Sequence, residues 1–145
     1  MSKRYFFDTS VLVSSLVKSH PFHHRAFPFF EQVFKKEIIG IISSHILAEL
    51  YSVLTTLPVK PKLSPLEVER ILHVNIFPKF EIIHLTSKDY KNSIDRVSKF
   101  HFSGGMVYDS LHVEAAAKSD SDELLTFNLK HFEKLSGGLV KIRGI

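Results

Sequence analysis

The chain predicts an α/β protein whose mostly parallel sheet is covered by helices on both faces, and three observations carry that expectation. Short apolar runs rich in aromatic and β-branched residues alternate with longer stretches of helical periodicity. The runs Tyr5-Phe6-Phe7 and Ile38-Ile39-Gly40-Ile41-Ile42 are apolar throughout, as strands buried on both faces are. Polar capping clusters stand where the helical stretches begin.

In chain order, Tyr5-Phe6-Phe7 reads as a buried strand that ends in the polar turn Asp8-Thr9-Ser10, followed by a short helix over Val11 to Val17. His20-Pro21 interrupts, and Phe22 to Lys36 reads as an amphipathic helix weakened by Pro28. Ile38 to Ile42 is the second strand. Ser43-Ser44 caps a helix from Ile46 to Thr56, with Leu47, Leu50, Tyr51 and Leu54 as its apolar stripe and Glu49 beside it. After the loop Leu57 to Lys62, Ser64-Pro65-Leu66-Glu67 is a capping box with proline at the first helical position, opening a helix to about Asn75. Glu81 to Leu85 is a third strand. Thr86-Ser87-Lys88-Asp89 caps a helix to Phe100, with Tyr90, Ile94 and Val97 expected inward. After the loop His101 to Gly105, a helix runs through Lys118 with Val107, Leu111, Ala115 and Lys118 on one face and Asp109 in its first turn. Leu124 to Phe127 is the fourth strand, Asn128 to Leu135 a brief helix, and Leu139 to Ile142 the last strand.

At 145 residues the chain is expected to form one domain over residues 1–145. With 44% hydrophobic and 23% charged residues it reads as an ordinary soluble protein. A net charge of +4 permits a polyanionic partner, but the Lys and Arg residues are scattered. The absence of cysteine excludes disulfides and thiolate metal sites and suits a reducing cytoplasm. Asp8 cuts short the apolar run after Lys3-Arg4, so no signal peptide is expected, and no apolar stretch of about 18 residues offers a membrane span.

In parallel sheets ligands bind outside the carboxyl ends of the strands. Asp8, Glu49 and Asn128 follow the first, second and fourth strands and share that edge. Asp109 starts the helix that leads back into the fourth strand, so only folding can bring it round.

Four blocks then resemble one family: Phe7-Asp8-Thr9-Ser10-Val11-Leu12-Val13, Ala48-Glu49-Leu50-Tyr51-Ser52-Val53-Leu54-Thr55, Tyr108-Asp109-Ser110-Leu111-His112, and Leu124-Leu125-Thr126-Phe127-Asn128-Leu129-Lys130-His131-Phe132. Together they look like a PIN domain and are most similar to the VapC-type toxin ribonucleases. The resemblance implies a three-layer α/β/α fold, a magnesium- or manganese-dependent endoribonuclease, a homodimer and a small antitoxin partner. It carries the metal-binding acids onto Asp8, Glu49 and Asp109, and a small hydroxyl residue beside the site onto Thr126. Where the family has a fourth acid this chain has Asn128, whose amide oxygen can hold a metal-bound water but adds no charge.

Chemistry supports the three acids independently. Mg²⁺ takes oxygen ligands, and carboxylates that converge without a cation raise one another's pKa. A bound cation polarises the scissile phosphate and activates water, so no serine, cysteine or histidine nucleophile is required. Asp8 and Asp109 are assigned as main ligands and Glu49 as ligand or water-orienting base. Each residue also has a plainer role: Asp8 as a helix cap, Glu49 on a solvated face, Asn128 in a turn.

The substrate expected is single-stranded RNA, with Lys35, Lys36, Lys60, Lys62, Arg70, Lys130 and His131 as candidate contacts. A degenerate relative that binds RNA or a partner without cleaving is the alternative. A phosphotransferase using Asp8 as nucleophile is disfavoured because Ser10 stands where a second aspartate is needed. No dinucleotide fingerprint or P-loop occurs. In His20-Pro21-Phe22-His23-His24 the proline spoils a regular zinc-binding pair, and a solvent-exposed cluster is expected. His112 is read as a packed or site-edge histidine, and Phe127 and Phe132 as core. Gly104-Gly105 is read as a loop whose lack of side chains lets the helix start approach the sheet edge or lets RNA backbone approach the metal.

Overall fold

The computed structural model describes residues 1–145. Five strands, β1 (Arg4–Phe7), β2 (Ile39–Ser43), β3 (Glu81–Ile83), β4 (Glu123–Thr126) and β5 (Lys141–Gly144), form one sheet in the order β3-β2-β1-β4-β5. Every pairing is parallel. Seven helices connect them: α1 (Thr9–Leu16), α2 (His23–Phe34), α3 (Ser44–Thr56), α4 (Pro65–Asn75), α5 (Ser87–Lys99), α6 (Met106–Lys118) and α7 (Leu129–Ser136). No helix is long and apolar enough to cross a membrane.

Successive side chains on β1 point to opposite faces, and that alternation separates the helical layers. Tyr5 meets Phe29 of α2 at 6.2 Å between ring centroids, and Phe7 meets Phe80 at 5.2 Å. Phe6 points the other way, its ring 6.0 Å from His112 of α6. Helices therefore cover both faces of a sheet whose three central strands, β2, β1 and β4, are almost wholly buried, the three-layer build expected from the sequence. From β1 the chain steps outward through β2 to β3, returns through α5 and α6, and steps out on the other side through β4 to β5. Parallel crossovers keep one hand, so this reversal places the two sets of helices on opposite faces. It also opens a crevice between the carboxyl ends of β1 and β4.

The capping box expected at Ser64 forms, and the cap expected at Thr86 is a capping box as well. Ser64 Oγ accepts from the Glu67 N–H at 3.1 Å while Glu67 Oε2 accepts from the Ser64 N–H at 2.9 Å, and Thr86 and Asp89 make the same reciprocal pair. Strand β2 runs close under its helical cover. A Cβ added to Gly40 would lie 2.6 Å from the Phe80 ring and 2.8 Å from Val33, both buried. Gly40→Ala is expected to cost about 1–3 kcal/mol by overpacking. The cost should appear as a lower denaturant midpoint at unchanged slope.

The inward face of α5 differs from expectation. Tyr90 and Ile94 are exposed, at 38% and 53%, while Asp89, Ser93 and Val97 face inward. The cause is polar pairing with α6: Arg96 Nη2 donates to Glu114 Oε1 at 3.0 Å, Arg96 Nη1 to Ser110 Oγ at 3.0 Å, and Lys118 Nζ to Asp89 Oδ2 at 2.8 Å. These bonds select the polar stripe over the apolar one. Helix α6 likewise buries more than one face, from Ser110 through Val113 and again at Ala115 and Ala116, because α5, α7 and the sheet surround it. Lys118 lies at its exposed end. Tyr51 also faces solvent, leaving Ile46, Leu50 and Leu54 as the buried stripe of α3.

Candidate active site

Asp8 stands where β1 ends. Its N–H still donates to the Leu125 carbonyl at 3.2 Å, continuing the β1–β4 ladder, while its own carbonyl accepts from Val11 and Leu12 to start α1. The side chain makes no cap hydrogen bond to that helix. Instead Asp8 Oδ2 accepts from Thr126 Oγ1 at 2.9 Å and from Ser10 Oγ at 3.1 Å. The Asp8 side chain therefore does not cap α1, although Asp8 occupies the cap position, and Thr126 lies beside it.

Glu49 sits on α3 with its side chain 24% exposed, turned into the same cleft rather than lying on a solvated face. Asp109, in the first turn of α6, arrives from the opposite layer. Ligand atoms of Asp8, Asp109 and His112 lie within 4.8 Å of one another. The crevice brings together Asp8, Glu49, Asp109 and Asn128 in a cleft of about 590 Å³. Asn128 is exposed at the start of α7, its N–H donating to Thr126 Oγ1 at 3.1 Å and its side chain capping nothing. Gly104 adopts φ 66° and a Cβ there would meet nothing within 4 Å, so the glycine serves the backbone turn before α6 rather than a close approach.

Crowded acids in a shielded cleft hold protons tightly. Burial first, then the Asp8 and Asp109 charges, raise the Glu49 pKa from 4.5 to about 7. Burial and the Asp8 charge push Asp109 up to about 6, against the pull of His131. Glu49 Oε1 is buried without a hydrogen bond, although His112 Nε2 at 3.3 Å and His45 Nε2 at 3.6 Å face it. An unpartnered oxygen among acids with raised pKa values fits a hard divalent cation, the donor set being carboxylate oxygen.

Two histidines complete the site. His112, 1% exposed, has its pKa lowered to about 4 by burial, so its imidazole is neutral. Its Nδ1 has no partner, and an unpaired acceptor costs less than an unpaired N–H. The proton is therefore assigned to Nε2, which faces Thr9 Oγ1 at 3.4 Å and Glu49. The site-edge placement expected for His112 holds. His131, one turn into α7, donates from Nε2 to Asp109 Oδ2 at 2.9 Å. It is the one member of the seven suggested RNA contacts found hydrogen-bonded to a site acid. Its partnership with Asp109 was not legible in the sequence, where 22 residues separate them. The only sequence signal was its position one turn beyond Asn128. Phe132 is core, as expected, whereas Phe127 is half-buried and lines the cleft.

With this geometry in view, comparison with known proteins is decisive. The profile of the PIN domain matches residues 5–138. The chain belongs to the PIN domain family. Among curated relatives, ribonuclease VapC27 of Mycobacterium tuberculosis is 35% identical over 112 residues, covering 77% of this chain and 75% of the relative. Two solved structures share the PIN fold at low identity. VapC20 of M. tuberculosis, a sarcin–ricin-loop-cleaving toxin, superposes with a TM-score of 0.70 at 14% identity over 96% of this chain and 98% of its own. DNA-bound VapBC from Salmonella typhimurium gives 0.68 at 18% over 99% and 98%.

Proposed function

We propose that this PIN domain is a divalent-metal-dependent endoribonuclease acting on single-stranded regions of RNA, and the toxin of a toxin–antitoxin pair. The observation that carries the activity is the convergence of Asp8, Glu49 and Asp109 in one cleft, with Glu49 and Asp109 at raised pKa. Kinship with ribonuclease VapC27 supports the activity, and the toxin role rests on the likeness to the VapC20 toxin.

Asp8 and Asp109 would hold Mg²⁺ or Mn²⁺, with Glu49 as a further ligand or as the base that orients water. Such an ion, when bound, polarises the scissile phosphate and acidifies a bound water. The chain's own residues prepare for it. Thr126 and Ser10 donate to Asp8 Oδ2, steadying that carboxylate and leaving Oδ1 for the cation. His131 orients Asp109. Glu49, near pKa 7 before a cation binds because of burial and the Asp8 and Asp109 charges, would be drawn to its ionised form by a cation that offsets those charges. Asn128 adds no charge, which favours one metal over two.

A small antitoxin and a second copy of the chain are the proposed protein partners, in keeping with the likeness to VapBC. Cytoplasmic localisation is proposed from the cysteine-free composition.

Pure protein incubated with single-stranded RNA tests the reading. Cleavage is expected with Mn²⁺ or Mg²⁺ and none in EDTA, with return on adding metal. Asn128 favours a second reading, a degenerate module that binds RNA without cutting it. Binding without cleavage under every divalent metal would select that one.

A further inference from the structure

The cleft that holds the acids has an aromatic wall that the chemistry above does not use. Phe22, the residue before α2, is 40% exposed although it is a large apolar side chain. Its ring lies 5.1 Å from that of Phe127, centroid to centroid, and 5.9 Å from that of His20. All three line the same cleft as Asp8, Glu49 and Asp109. The exposed Arg25 places its guanidinium 4.8 Å from the Phe22 centroid and 5.3 Å from that of Phe127.

We infer that Phe22, Phe127 and His20 form a shelf on which an unpaired base of the RNA strand stacks, beside the acid cluster. The inference rests on the nuclease reading for its ligand. A wholly structural aromatic pair would bury both rings. Here Phe22 stays 40% exposed while lining the cleft that also holds Asp8, Glu49 and Asp109. Aromatic faces accept any base, because every base presents a flat π-face to stack. His20 adds a polar edge: its Nδ1 accepts the Phe22 N–H at 3.0 Å, so the proton of the neutral ring sits on Nε2. That N–H can donate to a base edge. Arg25, whose guanidinium also donates to the Ile145 carbonyl, puts a positive charge beside the shelf for a passing phosphodiester. A cleft of about 590 Å³ has room for a nucleotide by the usual scale of ligand sites.

The test uses the intact protein and a short single-stranded RNA carrying 2-aminopurine at successive positions, read in EDTA at low salt so that nothing is cut. The parent should quench the probe at one or two adjacent positions. Phe22→Ala and Phe22→Leu should lose that quench and bind about tenfold more weakly. Phe22→Tyr should keep both within about twofold. Circular dichroism melting verifies that the variants fold, which the exposure of Phe22 favours.

Binding and quench in Phe22→Leu that match the parent overturn the shelf, and so does a parent that never quenches. A Phe22-dependent quench in a protein that cuts no RNA under any metal leaves the shelf standing while the nuclease reading falls. Metal-dependent cleavage with a quench indifferent to Phe22 gives the reverse.

Discussion

Asp109→Asn is expected to lower metal-dependent RNA cleavage by about 10²–10³-fold, the scale on which removing one preorganised electrostatic group acts. The substitution keeps shape and the His131 contact distance but removes a charge that the proposed cation requires. Because Asp109 is pushed up to about 6 by burial and by Asp8, its ionised form is present at neutral pH only at the expense of repulsion. A bound cation relieves that repulsion, so the parent should melt at higher temperature as Mn²⁺ is added, rising with the logarithm of its concentration. Asp109→Asn should lose most of that rise. Cleavage by a folded Asp109→Asn within tenfold of the parent would remove Asp109 from the proposed site.

Glu49→Gln is expected to make the metal-free protein more stable at pH 7.5 while weakening its response to metal. The sign follows from the raised pKa. Below pH 4.5 Glu49 is protonated in both folded and unfolded chains and contributes nothing. As pH rises from 4.5 toward 7 the unfolded chain releases the proton more readily, so folding stability falls. Above 7 the loss is complete, on the order of 2–3 kcal/mol at 1.36 kcal/mol per pKa unit after allowing for partial exposure. His112 works in the opposite direction. Its pKa, lowered to about 4, means that the unfolded chain binds a proton first as pH falls below 6.5, and stability drops.

In the parent Asp109, raised to about 6, acts in the same direction as Glu49 and both oppose His112, so the melting temperature alone is a poor readout. The difference between Glu49→Gln and parent isolates Glu49 from the other two. That difference should be about 4–10 °C at pH 7.5 without metal and should vanish near pH 4. Saturating Mn²⁺ should close or invert it. A metal-free Glu49→Gln that melts below the parent at pH 7.5 would contradict the electrostatic account of the cleft.

Local signals located nearly every element. Capping boxes at Ser64 and Thr86 define helix starts through bonds between residues three apart, and continuous apolar runs mark strands buried on both faces. Such interactions are legible because both partners stand in one short stretch. The α5 face was not. Tyr90, Ile94 and Val97 make the apolar stripe, but Arg96 and Lys118 pair across to Glu114 and Asp89, and that choice depends on which helix lies alongside.

The acids divide in the same way. The sheet-edge positions of Asp8, Glu49 and Asn128 followed from the alternation of strands and helices, since Asp8 and Asn128 come just after a strand and Glu49 is on the helix that follows one. Asp109 precedes a strand. Its arrival depends on the strand order β3-β2-β1-β4-β5, which sends α6 back across the sheet and sets its first turn over the crevice. The same convergence explains the pairing of His131 with Asp109, the neutral buried His112 and the raised pKa of Glu49. Charge repulsion and desolvation are set by distance and burial, and neither is a property of a residue in its own segment. By itself the sequence determined the elements, the class of sheet and the acids worth watching. Tertiary structure decided which of them meet, because the crossover topology alone brings residues about 40 to 120 positions apart into one cleft.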